Sequence, residues 1–139
     1  DFQAALGACQ MERYENNLKI RKNNAKLYCE LLRDIYGLSF PNYSNDNSYF
    51  LFQIILDEHI NRDNVVMALK EKGIGVSIHY ATPVPLMSYY KNKYAYKSVN
   101  FPNAVRYGDS VISLPVHSNL KYSEIKYICK SLKIILKKQ

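Results

Sequence analysis

The residues best suited to chemistry stand together in the segment IHYATPVP, residues 78–85. His79 and Tyr80 end a short apolar run there, and Pro83 and Pro85 restrict the loop that follows. An imidazole and a phenol at the end of a strand can hydrogen-bond the hydroxyls of a sugar or the oxygens of a phosphate. Local sequence alone favours the other interpretation, a structural histidine whose hydrogen bonds are satisfied within the protein.

The other two histidines are weaker candidates. His59 lies in the polar turn DEHIN, where we expect exposure to solvent, and His117 follows a proline in the loop PVHSN. Neither a His-x3-His pair nor a dense group of Cys and His is present, so we predict no metal site. The phosphate-binding patterns GxGxxG and GxxxxGK[ST] and the nucleophile pattern GxSxG are absent as well. We therefore assign no catalytic residue from the motifs of this chain.

Length and composition indicate about one domain. The 139 residues carry a net charge of +7, but the basic residues are scattered and no RNA-binding aromatic motif occurs, so we do not predict nucleic-acid binding. A basic surface would also suit an anionic small-molecule substrate. No stretch approaches the roughly 20 apolar residues of a membrane span, so we predict no membrane partner.

The three cysteines are predicted to be buried free thiols. Cys9, Cys29 and Cys129 are widely spaced, each lies in a helical pattern, and no CxxC pair exists. Free thiols are typical of a reducing compartment, so we expect a cytoplasmic protein.

Apolar periodicity predicts helices at both ends of the chain. Residues 2–14 have the i, i+3, i+4, i+7 spacing of a buried face. The members of this predicted core face are Phe2, Ala5, Leu6 and Cys9. A second helix is predicted over 18–36 with Gly37 ending it, and the two could form one long bent helix. The last helix is predicted over 123–138, with Ser123 as its cap.

Strands and shorter helices are predicted between these ends. Residues 49–56 read as a strand buried on both faces, and residues 75–80 and 111–114 as short strands. A loop is predicted over 39–48, and the tyrosine-rich segment after Pro85 fits no single class. Helices are predicted over 62–72, capped by Asn61 and ended by Gly73, and from Pro102 onward. This order predicts an α+β fold, a small and mostly antiparallel sheet covered by helices.

Three segments, taken together, resemble the DegT/DnrJ/EryC1/StrS family of sugar aminotransferases. DFQAALG, residues 1–7, with QMERYE after it, resembles the helix that opens the C-terminal part of these enzymes. KGIGVSIHYATPVPLMSYY resembles the family's glycine, short strand, His-Tyr pair, proline-rich loop and tyrosine pair. FPNAVRYGDSVISLPVHSNL resembles its later Phe-Pro-Asn-Ala and Ser-Leu-Pro segment. The matches occur in the family's order and cover most of the chain.

The resemblance implies an enzyme dependent on pyridoxal 5'-phosphate (PLP), of aminotransferase fold type I. Such enzymes move an amino group, usually from glutamate, to a nucleotide-linked keto-sugar, in cell-surface polysaccharide or amino-sugar biosynthesis. Residues 1–139 would be the C-terminal small domain of a homodimeric enzyme. PLP and its Schiff-base lysine would belong mainly to a large N-terminal domain absent from this chain, which alone would be inactive.

The resemblance also implies roles for particular residues. His79 and Tyr80 would bind the sugar substrate, whereas no residue is assigned to the cofactor. Asp1 and Gln3 would contact the cofactor domain or a neighbouring subunit. The chain departs from the family at Leu86, near which many relatives carry a histidine, and at Lys121, where a small hydroxyl residue is usual. The alternative is a non-catalytic binding or regulatory module derived from the family.

Overall fold

The structure is a computed structural model that describes residues 1–138. These residues form five α-helices and three β-strands. The helices are α1 Phe2–Leu32, α2 Arg62–Glu71, α3 Ser88–Tyr94, α4 Pro102–Ser110 and α5 Tyr122–Leu136. The strands are β1 Leu38–Ser39, β2 Phe52–Leu56 and β3 Val111–Leu114. No helix in this described part of the chain is long and apolar enough to cross a membrane.

The three strands form one antiparallel sheet in the order β1-β2-β3. Leu38 pairs with Leu56 across the β1–β2 ladder, and Phe52 pairs with Leu114 across the β2–β3 ladder. The predicted α+β class and the predicted small antiparallel sheet are therefore confirmed. The first strand was missed because only two residues pair in it, which is too short a run to show alternation.

The central strand β2 separates a fully buried face from a half-buried one. Phe52, Ile54 and Leu56 are buried, while Gln53 and Ile55 between them are half-buried. Successive side chains of a strand point to opposite faces, so the buried set faces the core formed with α1, α2 and α5. The prediction of a strand buried on both faces is thus right for one face only.

Helix α5 has the buried face that its sequence predicts. The buried members are Ile125, Ile128, Cys129, Leu132, Ile135 and Leu136, with Ser131 among them. The helix begins at Tyr122, so Ser123 lies inside the first turn and is not the cap as predicted. The Glu124 carboxylate instead accepts a 2.7 Å hydrogen bond from the Lys121 backbone N–H.

Helix α1 is continuous over 31 residues, and only its second half packs on the domain. Tyr28 stacks on Phe52 with ring centroids 4.8 Å apart, and its hydroxyl donates to the Pro115 carbonyl at 2.8 Å. The helix ends at Leu32, four residues before the predicted end, and Gly37 then adopts a positive φ of 90°. This conformation suits glycine because no Cβ is present to clash.

The predicted core face of the first half of α1 is wrong for this chain. Every residue from 1 to 16 is exposed, and Phe2 and Leu6 are 84% and 53% exposed. The sheet and α5 reach only the second half of the helix, so nothing in residues 1–138 covers this face. Cys9 lies on it and is exposed, against the prediction of a buried thiol.

The other two cysteines are free thiols as predicted. Cys29 is half-buried, and Cys129 is buried in α5. Burial raises the pKa of both thiols, that of Cys129 to about 12. The raised pKa keeps the Cys129 thiol protonated and unreactive near neutral pH.

The strand predicted over 75–80 does not form. A single antiparallel bridge joins Ser77 to Ser113, and each backbone N–H of the pair donates to the other's carbonyl. Beyond it, the carbonyl of His79 accepts a 2.9 Å hydrogen bond from the side chain of Gln53. A side-chain amide thus takes the place of the next ladder bond, which ends the pairing after one bridge.

Two helices around this segment follow their sequence signals. The Asn61 side chain accepts a 3.0 Å bond from the Asn64 N–H and caps α2, as predicted. Pro102 is the first residue of α4, also as predicted. Between these helices lies the tyrosine-rich segment, in which all residues from 87 to 100 are exposed. Its helix, α3, has no buried residue.

Candidate functional site around His79

The backbone of His79 is held by a hydrogen-bonded chain that starts on α4. The Tyr107 hydroxyl donates to Gln53 Oε1 at 2.7 Å, and Gln53 Nε2 donates to the His79 carbonyl at 2.9 Å. Burial raises the pKa of Tyr107, so the phenol stays protonated and remains a donor. Gln53 uses both ends of its amide, and this fixes the His79 backbone against the half-buried face of the sheet.

The imidazole of His79 is oriented by two serines. Its Nδ1 lies 3.1 Å from Ser113 Oγ and 3.3 Å from Ser77 Oγ. Ser113 is buried in β3, and Ser77 is its partner in the single backbone bridge. Both contacts use Nδ1, and Nε2 is the second hydrogen-bonding atom of the ring. The two serines therefore engage one ring nitrogen and not the other.

Tyr80 stands beside this histidine but faces solvent. It is 75% exposed, and its ring meets the His79 ring edge-on with centroids 5.8 Å apart. Val76 and Ile78 pack against the core, but the pairing ends before Tyr80, so Tyr80 does not lie on their face. The result places an imidazole and an exposed phenol side by side.

A cavity of about 540 Å³ adjoins these residues. Ser77 and Ser113 form one side of it, and the middle of α1 contributes Arg21. The loop after β3 contributes His117, which is exposed. The cavity therefore shares the two serines that orient His79.

Sequence reasoning missed Arg21, although a signal was present. Arg21, Ala25, Tyr28 and Leu32 follow the i, i+4, i+7, i+11 spacing of the packed face of α1. A cation in line with buried residues is unusual, because a charge is costly to bury without a partner. Arg21 is half-buried at the point where this face leaves the core and enters the cavity.

The remaining candidates contribute less. His59 is exposed, as predicted, and its ring lies 6.4 Å from the ring of Tyr36. Pro83 and Pro85 are half-buried and flank the start of a 3-10 turn at Val84–Leu86. Among residues 1–138, no group of three His, Cys, Asp or Glu side chains is arranged to hold a metal ion.

Known proteins resemble this chain closely enough to identify its family. The profile of the DegT/DnrJ/EryC1/StrS aminotransferase family matches residues 1–133. The chain is 31% identical to the spore coat polysaccharide biosynthesis protein SpsC of Bacillus subtilis, over 99% of this chain and 36% of the relative. It is 29% identical to the dTDP-4-amino-4,6-dideoxy-D-glucose transaminase of Escherichia coli, over 95% of this chain and 37% of the relative.

Solved structures agree on the fold. Spr1654 of Streptococcus pneumoniae, known in a PLP form and a PMP form, superposes with a TM-score of 0.87 at 26% identity. The superposition covers 97% of this chain and 34% of that protein in its PMP form. The chain thus spans about a third of the length of the proteins it matches. Because the family profile matches nearly the whole length of this chain, the chain belongs to the DegT/DnrJ/EryC1/StrS aminotransferase family.

Proposed function

We propose that this chain is the C-terminal small domain of a PLP-dependent aminotransferase. The whole enzyme would move an amino group from glutamate to a nucleotide-linked keto-sugar, for amino-sugar or cell-surface polysaccharide synthesis. The family match supports the reaction class, and a relative that acts in polysaccharide synthesis and another that is a nucleotide-sugar transaminase support the pathway and the acceptor. The observation that carries the proposal is the His79 site, an oriented imidazole beside an exposed phenol.

In this proposal His79 and Tyr80 bind the sugar. Nε2 of His79 has a fixed position because Ser77 and Ser113 hold the ring through Nδ1. A preoriented donor or acceptor costs little entropy when a hydroxyl binds to it. The Tyr80 phenol is free to reach a second hydroxyl, and its ring offers an apolar face to the sugar ring. These residues position the substrate and are not given a role in bond breaking.

The cofactor would be held mainly by another part of the enzyme. When bound, PLP acts as the electron sink of the reaction and is attached through a lysine. The lining of the cavity beside His79 includes no lysine, within the part of the chain that the structure describes. We therefore route no cofactor step through residues of this chain and assign the lysine to a large N-terminal domain.

The exposed half of α1 supports the same domain organisation. Phe2, Leu6, Met11 and Tyr14 are large exposed hydrophobic residues along this half-helix. A surface of this kind is typical of an interaction site. We propose that it meets the large domain and that the enzyme is a homodimer. The free thiol of exposed Cys9 fits a reducing cytoplasm.

The substrate-binding role is tested by two matched histidine variants in the intact protein. We expect His79→Gln to raise the KM for the keto-sugar about 10-fold, because losing one hydrogen bond to the ligand costs about 1.4 kcal/mol, which is a tenfold change in affinity. The exposed His59→Gln is the control and should leave KM unchanged. Equal KM values in both variants would remove His79 from the substrate site.

A further inference from the structure

Arg21 brings a cation into the cavity without an anion to balance it. Its Nε is buried and has no hydrogen-bond partner among residues 1–138. The ion pairs in this part of the chain are Arg62–Asp63 and Arg106–Glu58, so Arg21 takes part in neither. Leaving a buried donor without a hydrogen bond costs more free energy when the donor belongs to a charged group than when it belongs to a neutral one. The unsatisfied Nε of Arg21 therefore indicates a partner that is missing from residues 1–138.

The lining of the cavity is suited to an anion. It includes no Asp or Glu from the described residues. The polar groups around Arg21 are neutral donors such as Gln10, Asn17 and Ser113, which can add hydrogen bonds to an oxyanion. An anion that enters this space therefore meets one fixed positive charge and no like charge.

The remaining walls restrict the kind of anion. The planar fork of one guanidinium matches a carboxylate, with which it can form two parallel hydrogen bonds. Phe50, Leu51, Leu114 and Val116 supply apolar surface on the same cavity. This surface suits a short methylene chain attached to the carboxylate. Ser77 and Ser113 belong both to the cavity and to the His79 site, so the other end of such a molecule would reach the substrate region.

We infer that Arg21 binds the side-chain carboxylate of the amino donor, an amino dicarboxylic acid with a short aliphatic chain. The inference rests on the proposed aminotransferase function and specifies which residue selects the donor. The same carboxylate chemistry could come from an acidic side chain of another part of the intact protein. The experiment has to separate these two sources.

The test uses the intact protein with Arg21→Gln, Arg21→Lys and the control Arg33→Gln. Arg33 directly follows α1 and is exposed. Glutarate is the probe, because it has two carboxylates on a short chain and no amino group to transfer. Its dissociation constant is measured by calorimetry, and KM is measured separately for glutamate and for the keto-sugar.

We expect Arg21→Gln to weaken glutarate binding and raise the glutamate KM by about 10- to 100-fold, the range for a hydrogen bond to a charged group. Arg21→Lys should recover part of this loss, since it keeps the charge but not the fork. The KM for the sugar and all values for Arg33→Gln should stay unchanged. A merely structural role would lower the melting temperature without separating the two substrates.

Two results would overturn the inference. One is glutarate affinity that is equal in the wild type and Arg21→Gln. The other is an Arg21→Gln protein that loses thermal stability while the glutamate KM stays constant, which would assign Arg21 to an acidic side chain of the protein itself. Failure of the proposed function gives a different pattern. Glutarate would still bind through Arg21, but no amino group would reach any keto-sugar.

Discussion

Helix α5 and the first half of α1 have the same kind of apolar pattern, but the apolar face of one is buried and that of the other is exposed. The face of α5 is buried, with Ile125 and Leu132 fully inaccessible to solvent. The corresponding face at the start of α1 is open, with Phe2 and Leu6 among its exposed residues. Periodicity thus identifies a face that needs a partner, but it does not say whether the partner lies in the same chain.

The difference between the two faces agrees with the proposed division of the enzyme. Helix α5 contacts both α1 and α2, and it completes the core over the sheet. The first half of α1 extends beyond that core, and no described residue packs on its apolar face. Four measurements on the chain test this contrast between the two faces.

Amide hydrogen exchange should show the largest difference. We expect residues 2–14 to exchange close to the rate of an unstructured peptide, because a short unpacked helix is marginal in water. Residues 24–32 and the buried face of α5 should be protected to an extent set by global unfolding, of the order of several kcal/mol. Equal protection along the whole of α1 would mean that contacts other than those within residues 1–138 stabilise the first half of the helix.

Cysteine alkylation should give the next largest difference. Burial raises the Cys129 pKa from 9.0 to about 12, so its thiolate fraction near neutral pH falls by about 10³ relative to an ordinary thiol. We expect Cys9 to react at the rate of an exposed thiol. Cys129 should react at least about 100-fold more slowly, because only its thiolate form is nucleophilic. Mass spectrometry after timed iodoacetamide treatment measures both, with Cys9→Ser as the control. Comparable rates would show that α5 is not packed as described.

Truncation of one leucine on each helix compares the two faces directly. Leu132→Ala removes a fully buried side chain and should lower the free energy of unfolding by about 2–5 kcal/mol. Leu6→Ala lies on the exposed face and should change it by less than about 0.5 kcal/mol. Urea denaturation of both variants provides the comparison. A large loss for Leu6→Ala would indicate that the start of α1 is buried against another copy of the chain.

The smallest effect is expected from Tyr28→Phe, which removes the hydrogen bond between α1 and the Pro115 carbonyl. We expect a loss of about 1–3 kcal/mol, because the carbonyl is left without its partner. Burial raises the pKa of both Tyr28 and Cys129, so the native state keeps these protons longer than the unfolded state. The contribution of these two groups to the free energy of unfolding is therefore fully present below their unfolded-state pKa values. It is lost as the pH rises above about 9.

The pH dependence gives this variant its own control. Unfolding measured at about pH 7 and about pH 10.5 should show a smaller alkaline loss for Tyr28→Phe than for the wild type, because one of the groups with a raised pKa is gone. An identical alkaline loss in both proteins would mean that the phenol is not buried.

The sequence predicted those parts of the fold that depend on local patterns within one chain. Helix α2 follows from its Asn61 cap, α4 from Pro102 at its first position and α5 from its periodic apolar face. Strand β3 follows from an apolar run stopped by Pro115. The strand over 75–80 was wrong because a side chain, Gln53, takes the carbonyl that a ladder would use. No local pattern encodes a hydrogen bond between residues that are 26 positions apart.

The candidate site was predictable in its position and not in its surroundings. His79 and Tyr80 stood out because ionisable and phenolic groups at the end of an apolar run are uncommon. The serines that orient His79 come from two segments that meet only in the folded chain. Arg21 was overlooked because it fits the helical spacing of a buried face, and its lack of a partner becomes visible only in three dimensions.

The most direct test of the central claim is whether the PLP-binding lysine lies outside this chain. The 139-residue chain and the longer protein that the proposed domain organisation requires are each mixed with PLP, reduced with borohydride and digested. We expect visible absorbance and one stably labelled lysine in the longer protein only, at a position upstream of Asp1. A single labelled lysine within residues 1–139, or labelling in neither protein, would contradict it. If neither protein is labelled, the chain would be a non-catalytic binding module that shares the fold of the family and does not take part in PLP chemistry.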